Sequence, residues 1–189
     1  MTATLIVIAV VIALVALLVL GIYNGIIGGH NRAQRAWSDV LVYERQKIKV
    51  LDALQEQATG FKAHEKEILE RITSLRSAIT ALPQVADGKA LASVEDGTKG
   101  LLGGLRVAFE AYPELKAGDV VNHLMREIVE QQENVSAAIS IFNSEVERFN
   151  NSIQMFPGSI INSSLNKKSV IHNFSDTDAS KSFGYQPGF

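Results

Sequence analysis

The 189-residue chain has no cysteine, only four prolines and a formal net charge of −2. Without cysteine, the protein has no disulfide, no thiolate metal site and no cysteine nucleophile. Near-neutral charge gives no electrostatic basis for binding nucleic acid, because a domain that contacts the phosphate backbone usually presents a basic face. Scarce proline leaves room for long helices. The length suits one domain of ordinary size with a single core.

Charged residues are also missing from the N-terminal end. Residues 5–20 are all aliphatic, and residues 3–22 together carry no charge. That is about the helical length that crosses a bilayer core of roughly 30 Å. A secretory signal peptide is the main alternative, but it would have a positive start and a small-residue cleavage site, and neither occurs. We therefore expect residues 1–23 to form an uncleaved transmembrane anchor, with Tyr23 at the membrane interface.

The positions of the basic residues predict the orientation of this anchor. No Lys or Arg precedes the apolar run, whereas five follow it: Arg32, Arg35, Arg45, Lys47 and Lys49. Positive residues stay on the cytoplasmic side of a membrane span. We expect the C-terminal domain to lie in the cytoplasm and the N-terminus outside.

The segment after the anchor has the pattern of long amphipathic helices. Residues 31–82 contain no proline and only one glycine, Gly60, and their apolar residues recur at spacings of three and four. Such spacing places one apolar stripe along a helix. The pattern predicts one very long helix, or two collinear helices with a kink at Gly60. Pro83 ends it.

Two further helical segments follow, with different patterns. Residues 90–111 are helical in pattern but contain four glycines between 97 and 104. These glycines indicate either a close helix contact or a mobile loop. "YPELKAGD", residues 112–119, predicts a turn with Asp119 as an N-cap. The last long helix is then expected from Val120 to about Phe156, where Pro157 and Gly158 stop it.

An aromatic-asparagine pair occurs twice in the last helix, seven residues apart. Phe142 precedes Asn143 and Phe149 precedes Asn150, and Phe156 follows after seven more residues. A seven-residue spacing places all three phenylalanines on one helix stripe, so we expect them in the core. The predicted fold class is all-α: a transmembrane helix followed by an antiparallel bundle of long helices over residues 24–162, with a polar tail containing aromatics over residues 163–189.

Several of these motifs resemble the LemA family. The resemblance rests on Tyr23-Asn24 after the span, on "RAWSDV" around Trp37, on "YPELKA" and on the last helix with its Phe-Asn pairs and Phe-Pro stop. It covers about residues 20–162. The sequence departs from the family where it has "LVYERQKIKVLDAL" in place of a basic run followed by Ile-Pro-Asn. This pattern is that of a divergent member, and no family role is carried over to that stretch.

The resemblance implies a bacterial single-pass protein of the inner (cytoplasmic) membrane with a helical bundle and no enzymatic activity. One branch of the family is associated with magnetosome membranes, which suggests a role in membrane organisation. It also suggests what the repeated pairs do. Trp37, Phe142 and Phe149 would pack in the bundle, and Asn143 and Asn150 would lie beside the core and hydrogen-bond across to a neighbouring helix.

The sequence holds no convincing catalytic, cofactor or metal motif. "HEKE" begins at His64, but a zincin would need a histidine at position 68, which is Ile68. A metal site formed by His64 and His123 with Glu127 stays open as an alternative. Carboxylate pairs such as Glu145 and Glu147 point to different faces of a helix. We predict no enzyme and no cofactor.

Three functions remain under consideration. The first is a membrane-anchored scaffold that self-associates, with Gly21, Gly25 and Gly28 allowing helices to approach closely, unless these glycines form a hinge. The second is an adaptor or sensor that recruits a soluble protein, either through the tail aromatics Phe183, Tyr185 and Phe189 or through the glycine region at residues 95–105. The third is a membrane-tethered hydrolase or metal enzyme. The expected partners are the lipid bilayer, further copies of the chain and a protein, but not nucleic acid.

Overall fold

The computed structural model describes residues 2–57, 64–111 and 119–175. Five α-helices occur in these ranges, together with a short 3-10 helix and a π-helical turn, and no strand is present in them. In chain order the helices are α1 (Thr2–Glu56), α2 (Glu65–Thr80), α3 (Ala92–Ala111), α4 (Asp119–Gln154) and α5 (Gly158–Ile161). The predicted turn at 112–118, Gly60 and the tail aromatics Phe183, Tyr185 and Phe189 lie outside the described residues.

Helix α1 joins two chemically different halves without a break. Residues 2–18 are exposed, and their side chains are almost all apolar, whereas one face is buried from Ile26 onward. Among the described helices, only α1 is long and apolar enough to cross a membrane. Because the helix continues through Gly21, Gly25 and Gly28, the structure contains no hinge at these glycines.

The segment predicted as one long helix or two collinear helices is two antiparallel ones. Helix α1 ends at Glu56 and α2 begins at Glu65. Arg76 of α2 lies 3.1 Å from Asp52 and donates to the Gln55 side chain at 2.9 Å. Collinear helices would hold residues 52 and 76 more than about 30 Å apart at 1.5 Å per residue. Helix α2 therefore folds back along α1, and it also packs on α3.

The glycine-rich segment is part of a continuous helix, α3, and two of its glycines make a close helix contact. A Cβ on Gly97 would lie 3.2 Å from Leu75, and one on Gly104 would lie 3.0 Å from the Arg71 side chain. Arg71 lies over this surface and donates to the carbonyl of Gly100 at 2.9 Å. Of the two interpretations of these glycines, close packing is the one observed.

Helix α4 packs along α1 with its apolar stripe buried. Phe142 and Phe149 are fully buried, as predicted from the seven-residue repeat. Phe156 is not: its side chain is 80% exposed. The helix ends at Gln154, so residue 156 no longer follows the helical phase that buries Ile153. The prediction that Phe156 belongs to the core is wrong for this reason.

After α5 and the turn at Asn162–Asn166, the chain turns back along α4. Lys167 has a left-handed backbone (φ 51°), and residues 167–175 contain neither helix nor strand. We call residues 167–175 the strap. Ile171 is buried and Phe174 packs partly buried against the core, so the strap is part of the bundle.

Candidate interaction surfaces of the bundle

The strap is held to α4 through its backbone by the two asparagines of the Phe-Asn repeat. The Asn143 side chain donates to the carbonyl of Phe174 at 2.8 Å and accepts from the amide of Phe174 at 2.9 Å. The Asn150 side chain does the same with Ile171, at 2.8 and 3.0 Å. A carboxamide is suited to this because one planar group carries both a donor and an acceptor.

A third asparagine extends this arrangement beyond the end of α4. Asn162 donates to the carbonyl of Lys168 at 2.9 Å and accepts from the Lys168 amide at 2.9 Å. We call Asn143, Asn150 and Asn162 the asparagine ladder. It contacts the strap at residues 168, 171 and 174, every third residue.

The seven-residue spacing of Asn143 and Asn150 on α4 matches the three-residue spacing of their partners on the strap. Seven helical residues span about 10.5 Å at 1.5 Å per residue. Three extended residues span about 10 Å at 3.3 Å per residue. Asparagines seven apart on α4 therefore match backbone amides three apart on the strap. The sequence-based expectation that Asn143 and Asn150 bond to a neighbouring helix is corrected, because their partner is the strap.

The phenylalanine of each pair points the other way, into the bundle, because consecutive helical residues are about 100° apart. Phe142 lies 5.2 Å from the ring of Trp37, centroid to centroid, and Phe149 lies 5.4 Å from the ring of His30 in an edge-on arrangement. Gly29 of α1 packs against Phe149, and a Cβ there would lie 3.6 Å from its ring, an ordinary van der Waals distance. Each Phe-Asn pair thus joins α4 to α1 on one side and to the strap on the other.

The far end of the strap is also fixed by the loop before α3. The amide of Gly88 donates to the carbonyl of His172 at 2.8 Å. A Cβ at Gly88 would overlap the backbone of Asn173 and Phe174, so only glycine fits at this approach. Asp87 lies 3.5 Å from the imidazole of His172. The same loop is tied to α1, since the Trp37 indole donates to the carbonyl of Pro83 at 2.9 Å.

A second polar feature lies inside the other half of the bundle, where α1, α3 and α4 meet. Lys47 is fully buried and Glu44 is 2% exposed. The Lys47 ammonium lies 2.9 Å from Glu44 and donates to Gln132 at 2.7 Å and to Thr98 at 3.3 Å. Gln132 in turn donates to Glu95 at 2.8 Å. Buried charges are costly unless paired and hydrogen-bonded, and Lys47 meets both conditions.

Glu44 is less well satisfied than its partner. Its Oε2 is paired with the Lys47 ammonium at 2.9 Å, and no other described group donates to this atom. Burial raises the pKa of the Glu44 carboxyl above its ordinary value of 4.5, although the Lys47 charge opposes the rise.

The burial of Glu44 and Lys47 is not among the features predicted above from the sequence. Their positions carried a usable signal: Trp37, Val40, Glu44, Lys47, Leu51 and Leu54 are spaced alternately by three and four. Charged residues in the register of an apolar stripe are expected to be buried and paired.

The remaining predicted site residues are not brought together. Gly21 and Gly25 are exposed, and no atom would lie within 4 Å of a Cβ on either one. Gly28 faces the Arg32 side chain. Among the residues that the structure describes, no three metal-binding side chains form a group.

The sequence matches a known protein family. The model of the LemA family matches residues 36–182. This chain belongs to the LemA family. The match starts inside α1, beyond its apolar part, and includes the asparagine ladder and the strap. The LemA family is not a known enzyme family.

One curated relative is the Protein LemA of Metamycoplasma hominis. It is 28% identical to this LemA-family chain over 133 residues, which cover 70% of the chain and 60% of the relative. The chain therefore spans less than two thirds of the length of this relative.

Proposed function

We propose that this LemA-family protein is a membrane-anchored scaffold that self-associates and organises the membrane around it. Its N-terminal helix holds it in the bacterial inner membrane, and its bundle projects into the cytoplasm. Neighbouring copies pack side by side. The protein acts through the arrangement of its copies, and no catalytic step is part of this function.

The observation that carries the proposal is the unbroken course of α1. The apolar segment and the first helix of the bundle are one helix, Thr2–Glu56. A helix without a linker transmits the orientation of its membrane segment to the bundle. All copies in one membrane would then hold their bundles at the same height and in the same direction, so the same surfaces can meet at each contact, which favours a closed or regular assembly.

A surface suited to such packing lies between α1 and α4. It is a groove of about 420 Å³ whose lining includes Val42, Tyr43, Ala137 and Ile141. Val42 and Ile141 are both largely exposed. Exposed apolar residues that border one groove are typical of an interface, whereas scattered single ones need no explanation.

Self-association is tested by producing two differently tagged copies of the full chain in one cell and capturing one tag after mild detergent extraction. We expect the second tag to be captured with the first, but not when separately made membranes are mixed after extraction. Ile141→Glu should reduce capture strongly. Val129→Glu is the matched control, because Val129 is an exposed apolar residue elsewhere on α4, and it should leave capture intact. Equal capture for the two variants would remove the groove from the interface.

The same system tests the orientation in the membrane. Because the chain has no cysteine, a single cysteine at an exposed position is a unique reporter. We expect Ser136→Cys in intact inner-membrane spheroplasts to resist a membrane-impermeant maleimide until the membrane is opened. Labelling without opening would place the bundle outside.

A second candidate function is recruitment of a soluble protein by the tail. The favouring observation is the strap, which fixes the chain along α4 up to Ser175 and so sets where the following residues begin. Phe183, Tyr185 and Phe189 would be the contact residues. Capture of a specific soluble protein that is lost with a triple alanine variant, while self-capture persists, would favour the adaptor.

A further inference from the structure

The end of the bundle nearest the apolar part of α1 carries a group of exposed apolar side chains. After α4 ends, the chain turns through α5 and the π-helical turn, and residues 155–165 form this corner, which we call the foot. Met155 is 61% exposed, Phe156 80%, Ile160 58% and Leu165 56%. None of these four side chains belongs to the core, although Ile153 just before them and Ile161 among them do.

Contacts with α1 fix the height of the foot. A Cβ on Gly158 would lie 4.0 Å from the Ile22 side chain, and the Asn166 side chain donates to the carbonyl of Tyr23 at 3.1 Å. Ile22 and Tyr23 stand where the apolar segment of α1 ends. The foot therefore lies level with the end of the predicted span, beside the helix.

The grouping of these side chains separates them from ordinary surface residues. Apart from Val42 and Ile141 beside the groove, the exposed large apolar residues elsewhere on the described bundle are dispersed along different elements, as at Val85, Val107 and Val129. Single apolar residues on a surface are normal, whereas a contiguous patch indicates contact with a partner or a membrane.

In the described segments that form the foot and the adjoining part of α1, the charges have one sign. Residues 1–31 and 148–175 contain no Asp or Glu, and their cations are Arg148, Lys167 and Lys168. Lys167 and Lys168 follow the foot directly, and Lys167 is exposed. Apolar side chains with lysines beside them match the chemistry of a membrane interface, where acyl chains lie under anionic phosphates.

We propose that the foot is a second membrane contact, which lies in the headgroup region of the bilayer that anchors α1. Met155, Phe156, Ile160 and Leu165 reach the upper acyl chains, and Lys167 and Lys168 meet lipid phosphates. This inference rests on the membrane anchoring in the proposed function. Two contacts on one bilayer, a span and a foot beside it, restrict the tilt of the bundle relative to the bilayer more than a single span does.

The test uses the full chain in vesicles of phosphatidylcholine and phosphatidylglycerol. Single cysteines are introduced by Phe156→Cys, Leu165→Cys, Val107→Cys and Ile12→Cys, and each carries a nitroxide label. Collisions with oxygen, which concentrates in lipid, are compared with collisions with a water-soluble nickel chelate. Val107 is the matched control, because it is as exposed as Leu165 and lies on α3, outside both the foot and the groove.

We expect labels at 156 and 165 to collide with the nickel chelate several-fold less than the label at 107, and more with oxygen. The label at 12 reports the span. If the label at 12 lies in lipid while those at 156 and 165 match the label at 107, the foot is overturned and the anchor stands. If 12 is also in water, the anchor itself fails. Shielding of 156 from both reagents would mean that protein covers it, which also overturns a lipid contact.

Discussion

The asparagine ladder makes a quantitative prediction about the strap. In Asn150→Ala the Ile171 amide and carbonyl both lose their partner. Each hydrogen bond contributes about 1 kcal/mol net, so the free energy of opening the strap at Ile171 should fall by about 2 kcal/mol. Because every 1.4 kcal/mol is a factor of ten, the opened population should rise about 30-fold. Asn143→Ala should act in the same way at Phe174.

Hydrogen exchange measures this opening directly, because the Ile171 and Phe174 amides are the donors in two of the four bonds. We expect the Ile171 amide to exchange about 30-fold faster in Asn150→Ala, as long as it exchanges through local opening. The core amides of α4 should keep their wild-type rates. The experiment needs only the full chain in detergent and peptides that cover residues 167–175.

Two further variants exclude simpler explanations. Asn151→Ala makes the same change at the next helical position, and among the described residues Asn151 makes no side-chain hydrogen bond to the strap. It should leave strap exchange unchanged. Asn150→Asp keeps an acceptor for the Ile171 amide but faces its carbonyl without a donor, so it should not rescue the bond pair. Wild-type exchange at Ile171 in both Asn150 variants would refute the ladder.

Three other predictions follow from the packing. Gly88→Ala should displace the strap and speed hydrogen exchange of the Phe174 amide. Gly103→Ala is the control, because a Cβ there meets nothing within 4 Å, and it should stabilise α3 by about 0.5–1 kcal/mol. Unchanged exchange in Gly88→Ala would contradict the close approach of the strap to Gly88. Lys47→Ala leaves Glu44 buried without a counter-charge and should lower the free energy of unfolding, measured by chemical denaturation, by about 3–5 kcal/mol. The double variant Glu44→Leu with Lys47→Met should be near neutral. Equal losses of stability in Lys47→Ala and in the double variant would contradict this account of the ion pair. Burial raises the pKa of Glu44 in the folded protein, so at pH values above 4.5, up to that raised pKa, folding is coupled to uptake of a proton. The free energy of unfolding should therefore rise as the pH falls through this window. Glu44→Gln should remove this slope from stability measured against pH, and an unchanged slope would assign it to another group.

The helices could be predicted from the sequence because their signals are local. Apolar spacing of three and four predicted the stripes of α1, α2 and α4, and the Phe-Asn repeat predicted the burial of Phe142 and Phe149. Phe156 was misplaced because periodicity does not show where a helix ends. The end of a helix depends on the last hydrogen-bonded turn, which here precedes Pro157.

The strap and the buried ion pair were missed for different reasons. The strap is bound through its backbone, so its own sequence has no periodic pattern, and only the asparagines that hold it repeat. Glu44 and Lys47 were detectable, since they occupy the register of the stripe. Charged side chains are usually exposed, so only the position of these two in the stripe indicates that they are buried.

The mass of the full-length protein in mild detergent tests self-association most directly. Size-exclusion chromatography with light scattering gives the protein mass of the particle apart from its detergent. The proposal predicts a discrete particle of several copies, each of 20.6 kDa, that persists on dilution. A particle that stays monomeric at every concentration would contradict the scaffold and favour recruitment of another protein by the tail.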